Sequence, residues 1–157
     1  MPRPGVERVQ AALRAAGSTA RVRELPGSTR TSHEAAAALG VAVGQIAKSL
    51  VFLADGEPVM VVASGADRVD TSRLAAHLGV ARISRADAEQ VRAATGYPIG
   101  GVSPAGLDGR LPVLIDRALV SFDVVWAAAG TPNSVFATSF AELLRVSGGE
   151  EADVSER

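Results

Sequence analysis

The sequence contains no cysteine. Disulfides, thiolate nucleophiles and cysteine-based metal sites are excluded together. Histidine is almost as scarce. His33 and His77 lie far apart, and neither has a second histidine at the spacing of a zinc-binding helix. A zinc hydrolase does not fit, and no metal or other cofactor is expected. No apolar run approaches the roughly 20 residues needed to span a bilayer. Met1-Pro2-Arg3-Pro4-Gly5 lacks the apolar core of a secretory signal. The chain reads as cytoplasmic, with no membrane contact. Its net charge of −1 lacks the basic excess of a non-specific nucleic-acid binder. Contact with nucleic acid should be weak or use a local patch.

Lysine is the sharpest scarcity. Lys48 is the one lysine, and the other 15 basic residues are arginines. It sits in the mostly apolar stretch Gln45-Ile46-Ala47-Lys48-Ser49-Leu50-Val51-Phe52. An ammonium and a guanidinium are not interchangeable at a tight site. Drift in an arginine-rich chain is one account of the residue, and a site that needs an ammonium is the other. Burying that charge without a partner is costly. The head should therefore face a cleft or a counter-charge, or reach water along an apolar stem.

What is present suits one ordinary domain. A length of 157 residues with 47% hydrophobic content can bury a core without staples. Val6, Val9, Leu13 and Ala16 have helical spacing, and Gly17 is a stop. Ala20 to Leu25 reads as a short strand broken by Pro26-Gly27. Thr31 and Glu34 have capping-box form before a helix that ends at Gly40. Ala47 to Ala54 and Pro58 to Ala63 read as a hairpin around Asp55-Gly56. Asp70 or Thr71 caps a helix that closes at Gly79. Ala81 to Ile83 suggests a brief strand, and Ser84 a cap for a helix ending before Gly96. Gly96 to Gly109 has no regular period and is the longest loop. Leu111 to Ile115, Ser121 to Ala128 and Val135 to Thr138 look like strands, with a turn at Gly130-Thr131-Pro132-Asn133. Phe140, Leu143 and Leu144 fit a final helix, and Gly148 to Arg157 a mobile polar tail. The order mixes hairpins with helices. It predicts a single α/β domain over 1–147, a mixed β-sheet flanked by helices, with the tail at 148–157.

Standard catalytic motifs are absent. No Walker-type loop or G-x-G-x-x-G occurs. Gly101-Val102-Ser103-Pro104-Ala105-Gly106 resembles a nucleophile elbow, but its second glycine comes one residue late. Pro104 has no N–H to donate to an oxyanion. Ser103 with His77 or His33 would be a weak small-ester hydrolase. Asp108, Asp116 and Asp123 are scattered singly and read as caps or solvated charges. Two features remain, Lys48 and the adjacent glycines Gly100 and Gly101. Such glycines let backbone N–H groups approach a ligand, or simply make a tight turn.

Three segments together resemble the YbaK/prolyl-tRNA synthetase editing-domain family. The first is Glu34 to Gly40 followed by Gln45 to Phe52, containing Lys48. The second is Thr95-Gly96-Tyr97-Pro98-Ile99-Gly100-Gly101-Val102-Ser103-Pro104, with the family's Gly-x-x-x-Pro loop. The third is Ala128-Ala129-Gly130-Thr131-Pro132-Asn133-Ser134-Val135-Phe136. The resemblance runs from about Val6 to Val146. It implies a YbaK-like mixed-sheet domain that hydrolyses the ester of mischarged tRNA, without metal or protein nucleophile. Proline tRNA carrying a small wrong residue such as alanine, cysteine or 2-aminobutyrate is the implied substrate.

Lys48 then matches the family's essential lysine, and Gly101 joins it as a backbone catalytic group. Gly100, Val102, Ser103 and Pro104 match the loop around the terminal adenosine and ester. Thr31, His33, Gly130 and Asn133 border the implied substrate site, with His33 also readable as a solvent-facing first-turn residue. The implied partners are the acceptor end of aminoacyl-tRNA and prolyl-tRNA synthetase. Ala105-Gly106-Leu107-Asp108-Gly109-Arg110 lacks the basic pair usual in the cysteine-specific branch, which points away from a purely cysteine-clearing role. The alternative within the same fold is a non-catalytic module that binds tRNA ends or a synthetase.

Overall fold

The computed structural model describes residues 4–27, 31–107 and 111–156. Helix α1 (Pro4–Ala15) buries Val9 and Leu13, as its spacing requires. Each such side chain contributes about 1.5–3 kcal/mol when fully removed from water. The sequence-predicted strand after it shrinks to β1 (Arg23–Glu24). Helix α2 (Ser32–Leu39) starts as expected: Thr31 accepts from the Glu34 N–H, and the Glu34 side chain returns to the Thr31 backbone. Gly40 ends it at φ 71°.

Strands β2 (Ile46–Ala54) and β3 (Glu57–Ser64) form the anticipated hairpin, paired from Ala47↔Ser64 to Ala54↔Glu57. Asp55 and Gly56 both have positive φ, 48° and 87°, the geometry that matches strand twist. Asp55 is also an anchor. Its carboxylate accepts from the Ala81 and Arg82 N–H groups.

Helix α3 (Thr71–Leu78) is capped by Asp70. The following segments shift relative to the sequence reading. Strand β4 is Ile83–Arg85, two residues later than expected, because it pairs with β2 across Phe52↔Arg85. Helix α4 (Ala88–Thr95) is capped by Asp87, with Gln90 completing a capping box, and not by Ser84. Ser84 is committed to β4.

Strand β5 (Val113–Asp116) leads into a 3-10 turn, Arg117–Ser121. The expected strand from Ser121 begins only at β6 (Val125–Ala128), since this turn occupies its start. Strand β7 (Ser134–Thr138) and helix α5 (Phe140–Ser147) follow. The expected mobile tail is instead built into the sheet. Glu150–Ala152 forms β8, parallel to β5, and Val154 and Ser155 are fully buried. The polar residues misled because Glu150, Glu151, Asp153 and Glu156 are exposed while Ala152, Val154 and Ser155 between them are buried.

The sheet order is β1-β7-β6-β2-β3-β5-β8, with β4 attached to β2. Parallel and antiparallel pairs are mixed, as anticipated. Central β3 is buried from Val59 to Ser64, so it reads as a continuous apolar run. One face packs Val9, Leu13, Val91 and Leu143 around Ala47 and Val51. The other packs Leu74 and Val154 around Phe52 and Ala54.

Asp116, expected to cap or to face water, does the first while fully buried. It accepts from the Ala118 N–H at 3.1 Å and from the Val154 N–H at 2.9 Å. One carboxylate thus ties β5 to the terminal segment. Asp116→Ala would leave two donors without that acceptor and should cost about 2–4 kcal/mol in a denaturant titration. It should also speed hydrogen exchange at Val154. Unchanged exchange there would show that the terminal strand is held by other contacts.

Candidate active site

The site begins with an edge that two neighbours share incompletely. On the side away from β3, β6 pairs only with Ile46 and Ala47, and β4 only with Phe52 to Ala54. Among the described residues no strand pairs with Lys48 to Leu50 on that edge, and beyond them the Ala86 N–H reaches the Val51 carbonyl at 3.3 Å. The interruption opens into a cavity of about 470 Å³. Its wall includes Thr31 and Ser32 from the start of α2, Lys48 to Val51 from β2, and Gly100 and Val102 from the long loop. Ile46, Val91, Trp126 and Val135 add apolar surface, and Arg85 stands on β4.

Lys48 is half-buried. Its ammonium donates to the Asp67 backbone carbonyl at 2.5 Å. That carbonyl belongs to a turn braced from within: the Ser64 hydroxyl donates to the Gly44 carbonyl at 2.8 Å, and the Asp67 N–H to the Ser64 carbonyl at 3.0 Å. Burial pushes the Lys48 pKa below the ordinary lysine value. The Asp67 charge opposes this, while Arg85 and Arg68 reinforce it. Ser49 also lines the cavity. Its hydroxyl is buried without a hydrogen-bond partner among the described residues.

The long loop is irregular but firmly tied. Thr95 Oγ1 donates to the Val91 carbonyl and accepts from the Tyr97 N–H. Buried Tyr97 donates its hydroxyl to the Ala105 carbonyl at 2.7 Å. Burial raises the Tyr97 pKa, opposed by the Arg8 guanidinium lying 4.6 Å over its ring. Arg8 also donates to the Gly106 and Thr95 carbonyls. The Gly130 N–H donates to the Gly101 carbonyl at 3.0 Å, so the two glycine loops meet backbone to backbone. A Cβ on Gly101 would come within 2.8 Å of the Thr131 nitrogen.

The structure brings together Thr31, Lys48, Gly100 and Val102 from the residues singled out in the sequence. Others stand behind the wall. Gly101 is buried against Gly130, and Pro104 is buried and is not part of the cavity lining. Ser103 is fully buried and its Oγ accepts from the Ala105 N–H, which makes it a turn-former and not an exposed nucleophile. Asn133 ties its turn to Leu25 through backbone and side chain. His33 is exposed on α2, and His77 pairs with Glu150 at 3.3 Å on α3, so neither approaches Ser103 as a triad partner. Asp123 is exposed. Asp108, with Gly109 and Arg110 from the departure after Pro104, lies outside the described residues. Sequence reasoning missed Ser32, Ser49, Arg85 and Trp126. Only Ser49 had a local signal, as the neighbour of Lys48.

A mixed sheet opened over a lysine, facing a glycine loop, is the architecture of an aminoacyl-tRNA editing domain. Residues 27–146 match that family, and the chain belongs to it. A crystal structure of a proposed trans-editing enzyme for prolyl-tRNA synthetase superposes with a TM-score of 0.91 at 41% identity, covering all of both chains. The uncharacterized protein YwhH of Bacillus subtilis is 34% identical over 123 residues, 78% of each chain. Proline–tRNA ligase of Streptococcus equi subsp. equi is 32% identical over 132 residues. That match takes in 77% of this chain but 21% of the ligase, so the chain spans about a fifth of that relative. The resemblance read from the three segments therefore holds, as does the expected fold. Among the described residues no helix is long and apolar enough to cross a membrane.

Two variants probe this geometry. Gly101→Ala must push the two glycine loops apart, and should destabilise the fold by about 1–3 kcal/mol in a denaturant titration. Lys48→Met should melt no lower than the wild type at neutral pH. The cost of burying the ammonium is present below its lowered pKa and fades as pH rises toward the ordinary lysine value. The difference between the two melting temperatures should shrink over that rise. A clear drop for Lys48→Met would mean that the bond to Asp67 outweighs desolvation.

Proposed function

We propose that this protein is a trans-editing deacylase that hydrolyses the ester of mischarged tRNA in the cytosol. The proposed substrate is proline tRNA carrying a small wrong amino acid such as alanine, cysteine or 2-aminobutyrate. The observation that carries the reading is one cavity lined by both Lys48 and Gly100. A fixed ammonium beside a glycine loop suits a substrate whose ester oxygen gains negative charge as it reacts.

Water attacks the ester carbonyl and gives up a proton. The carbon–oxygen bond to the ribose breaks, and the leaving oxygen takes a proton, helped by the neighbouring ribose hydroxyl. The products are a free amino acid and an uncharged tRNA. An activated ester needs no protein nucleophile for this. Positioning and preorganised donors supply several kcal/mol, roughly. Lys48 is oriented by the Asp67 carbonyl, which occupies one of its three donors. The other two have no hydrogen-bond partner among the described residues, which leaves them for the substrate. Ser49 offers a further unused hydroxyl at the same wall. Gly101 acts by holding the shape of the loop that Gly100 and Val102 present. Apolar surface from Ile46, Val91, Trp126 and Val135 suits a small side chain, and prolyl-tRNA synthetase is the proposed supplier of the mischarged tRNA.

The test is deacylation of proline tRNAs charged with alanine, cysteine, serine, 2-aminobutyrate or proline. The wild type should clear one or two of the non-proline esters. Lys48→Ala should lose about a hundredfold or more in rate with the fold retained. Lys48→Arg should also be poor, because a guanidinium does not fit an ammonium's place. Full activity in either variant removes Lys48 from the mechanism. Tight binding of charged tRNA with an unchanged ester lifetime in the wild type would favour the binding-module reading.

A further inference from the structure

Arg85 belongs to none of the sequence motifs. It lies on β4 opposite Phe52, at the end of the sheet interruption away from β6. Its guanidinium sits 5.9 Å from the Phe52 ring centre and makes no ion pair or hydrogen bond among the described residues. Phe52 is buried, so the stack gives an exposed cation a firm seat.

The charges on the cavity wall are one-sided. Lys48 and Arg85 are the charged side chains among its described lining residues, and no carboxylate joins them. The two are close enough for Arg85 to weigh on the Lys48 charge, although Asp67, outside the lining, weighs more in the opposite direction. Like charges at one mouth oppose each other until an anion lies between or beside them. In the substrate proposed above, the ester is neutral and the amino acid's own ammonium is a cation. The full negative charge nearest the ester is the phosphodiester that joins the terminal nucleoside to the strand. A guanidinium offers a planar fork of donors that matches phosphate oxygens.

The geometry points to Arg85 as the group that holds this last phosphate of the tRNA acceptor end, an assignment that rests on the editing reading. It also orients the substrate. Phe52, opposite Arg85, and Ile46, opposite Trp126, are six residues apart on β2, about 20 Å of strand. The phosphate lies at the β4 end. The amino acid, whose ammonium is disfavoured beside two cations, lies toward Ile46 and Trp126. Lys48 stands between, near the ester.

The experiment uses a fluorescent RNA minihelix ending in CCA and carrying no amino acid, with binding followed by anisotropy at several salt concentrations. One version keeps the natural terminal phosphodiester, and the other replaces it with an uncharged methylphosphonate. Arg85→Gln should weaken binding of the natural RNA about tenfold, in line with loss of one charge-assisted contact. The slope of log affinity against log salt should fall by about 0.7. The methylphosphonate should weaken the wild type similarly and Arg85→Gln no further. Arg85→Lys should recover part of the loss, having the charge without the fork.

Equal further weakening of Arg85→Gln by the methylphosphonate would overturn the assignment, because the two groups would then act independently. So would an unchanged affinity in Arg85→Gln, or no binding by the wild type. The RNA bears no ester, so this outcome does not depend on hydrolysis. A failed editing reading shows instead in the deacylation panel.

Discussion

The molecule turns on how one strand's edge is divided. β2 is satisfied along one side by β3, but its other side is split between β6 and β4. Both partners are short, and they pair at opposite ends of β2. Unpaired backbone groups on a strand edge demand partners. Here the demand is left open beside Lys48, Ser49 and Leu50, where a ligand can meet it. The cavity, the exposed face of the lysine and the approach of the glycine loop all follow from that division. A longer β6 or β4 would close the sheet and remove the site.

Local rules carried much of this into the sequence. The Thr31 capping box, the Asp55-Gly56 hairpin and the glycines that end α2 and α3 are legible because each depends on a few adjacent residues. Lys48 was legible through its rarity and its apolar setting. What was not legible is non-local. No pattern within residues 83–85 says that Arg85 will lie opposite Phe52, and none near Trp126 says that it will lie opposite Ile46. Ser103 and Pro104 are instructive in the other direction. Their motif marks the right loop, but both are buried outside the cavity lining, to which the loop contributes Gly100 and Val102. The terminal strand was missed because three residues with one inward side chain carry too little periodicity to register.

The support behind the wall is mostly backbone chemistry. The Asp67 carbonyl, the Gly101–Gly130 contact and the Tyr97 and Arg8 bonds to loop carbonyls need few particular side chains at the cavity itself. The Thr95, Tyr97 and Ser103 hydroxyls in the loop are each hydrogen-bonded, and such satisfaction holds an irregular loop in one shape. Lys48 is the costly exception, a partly desolvated cation kept where burial disfavours it.

Such a division of labour separates two properties that many pockets entangle. The apolar part of the cavity wall comes from Ile46, Val91, Trp126 and Val135, whereas its polar part comes from Lys48, Ser49, Arg85 and main-chain atoms. Substitutions among the former alter volume without moving the latter. A lineage built on this scaffold can therefore reshape the wall by small steps, each reversible, while the polar arrangement beside it is inherited intact.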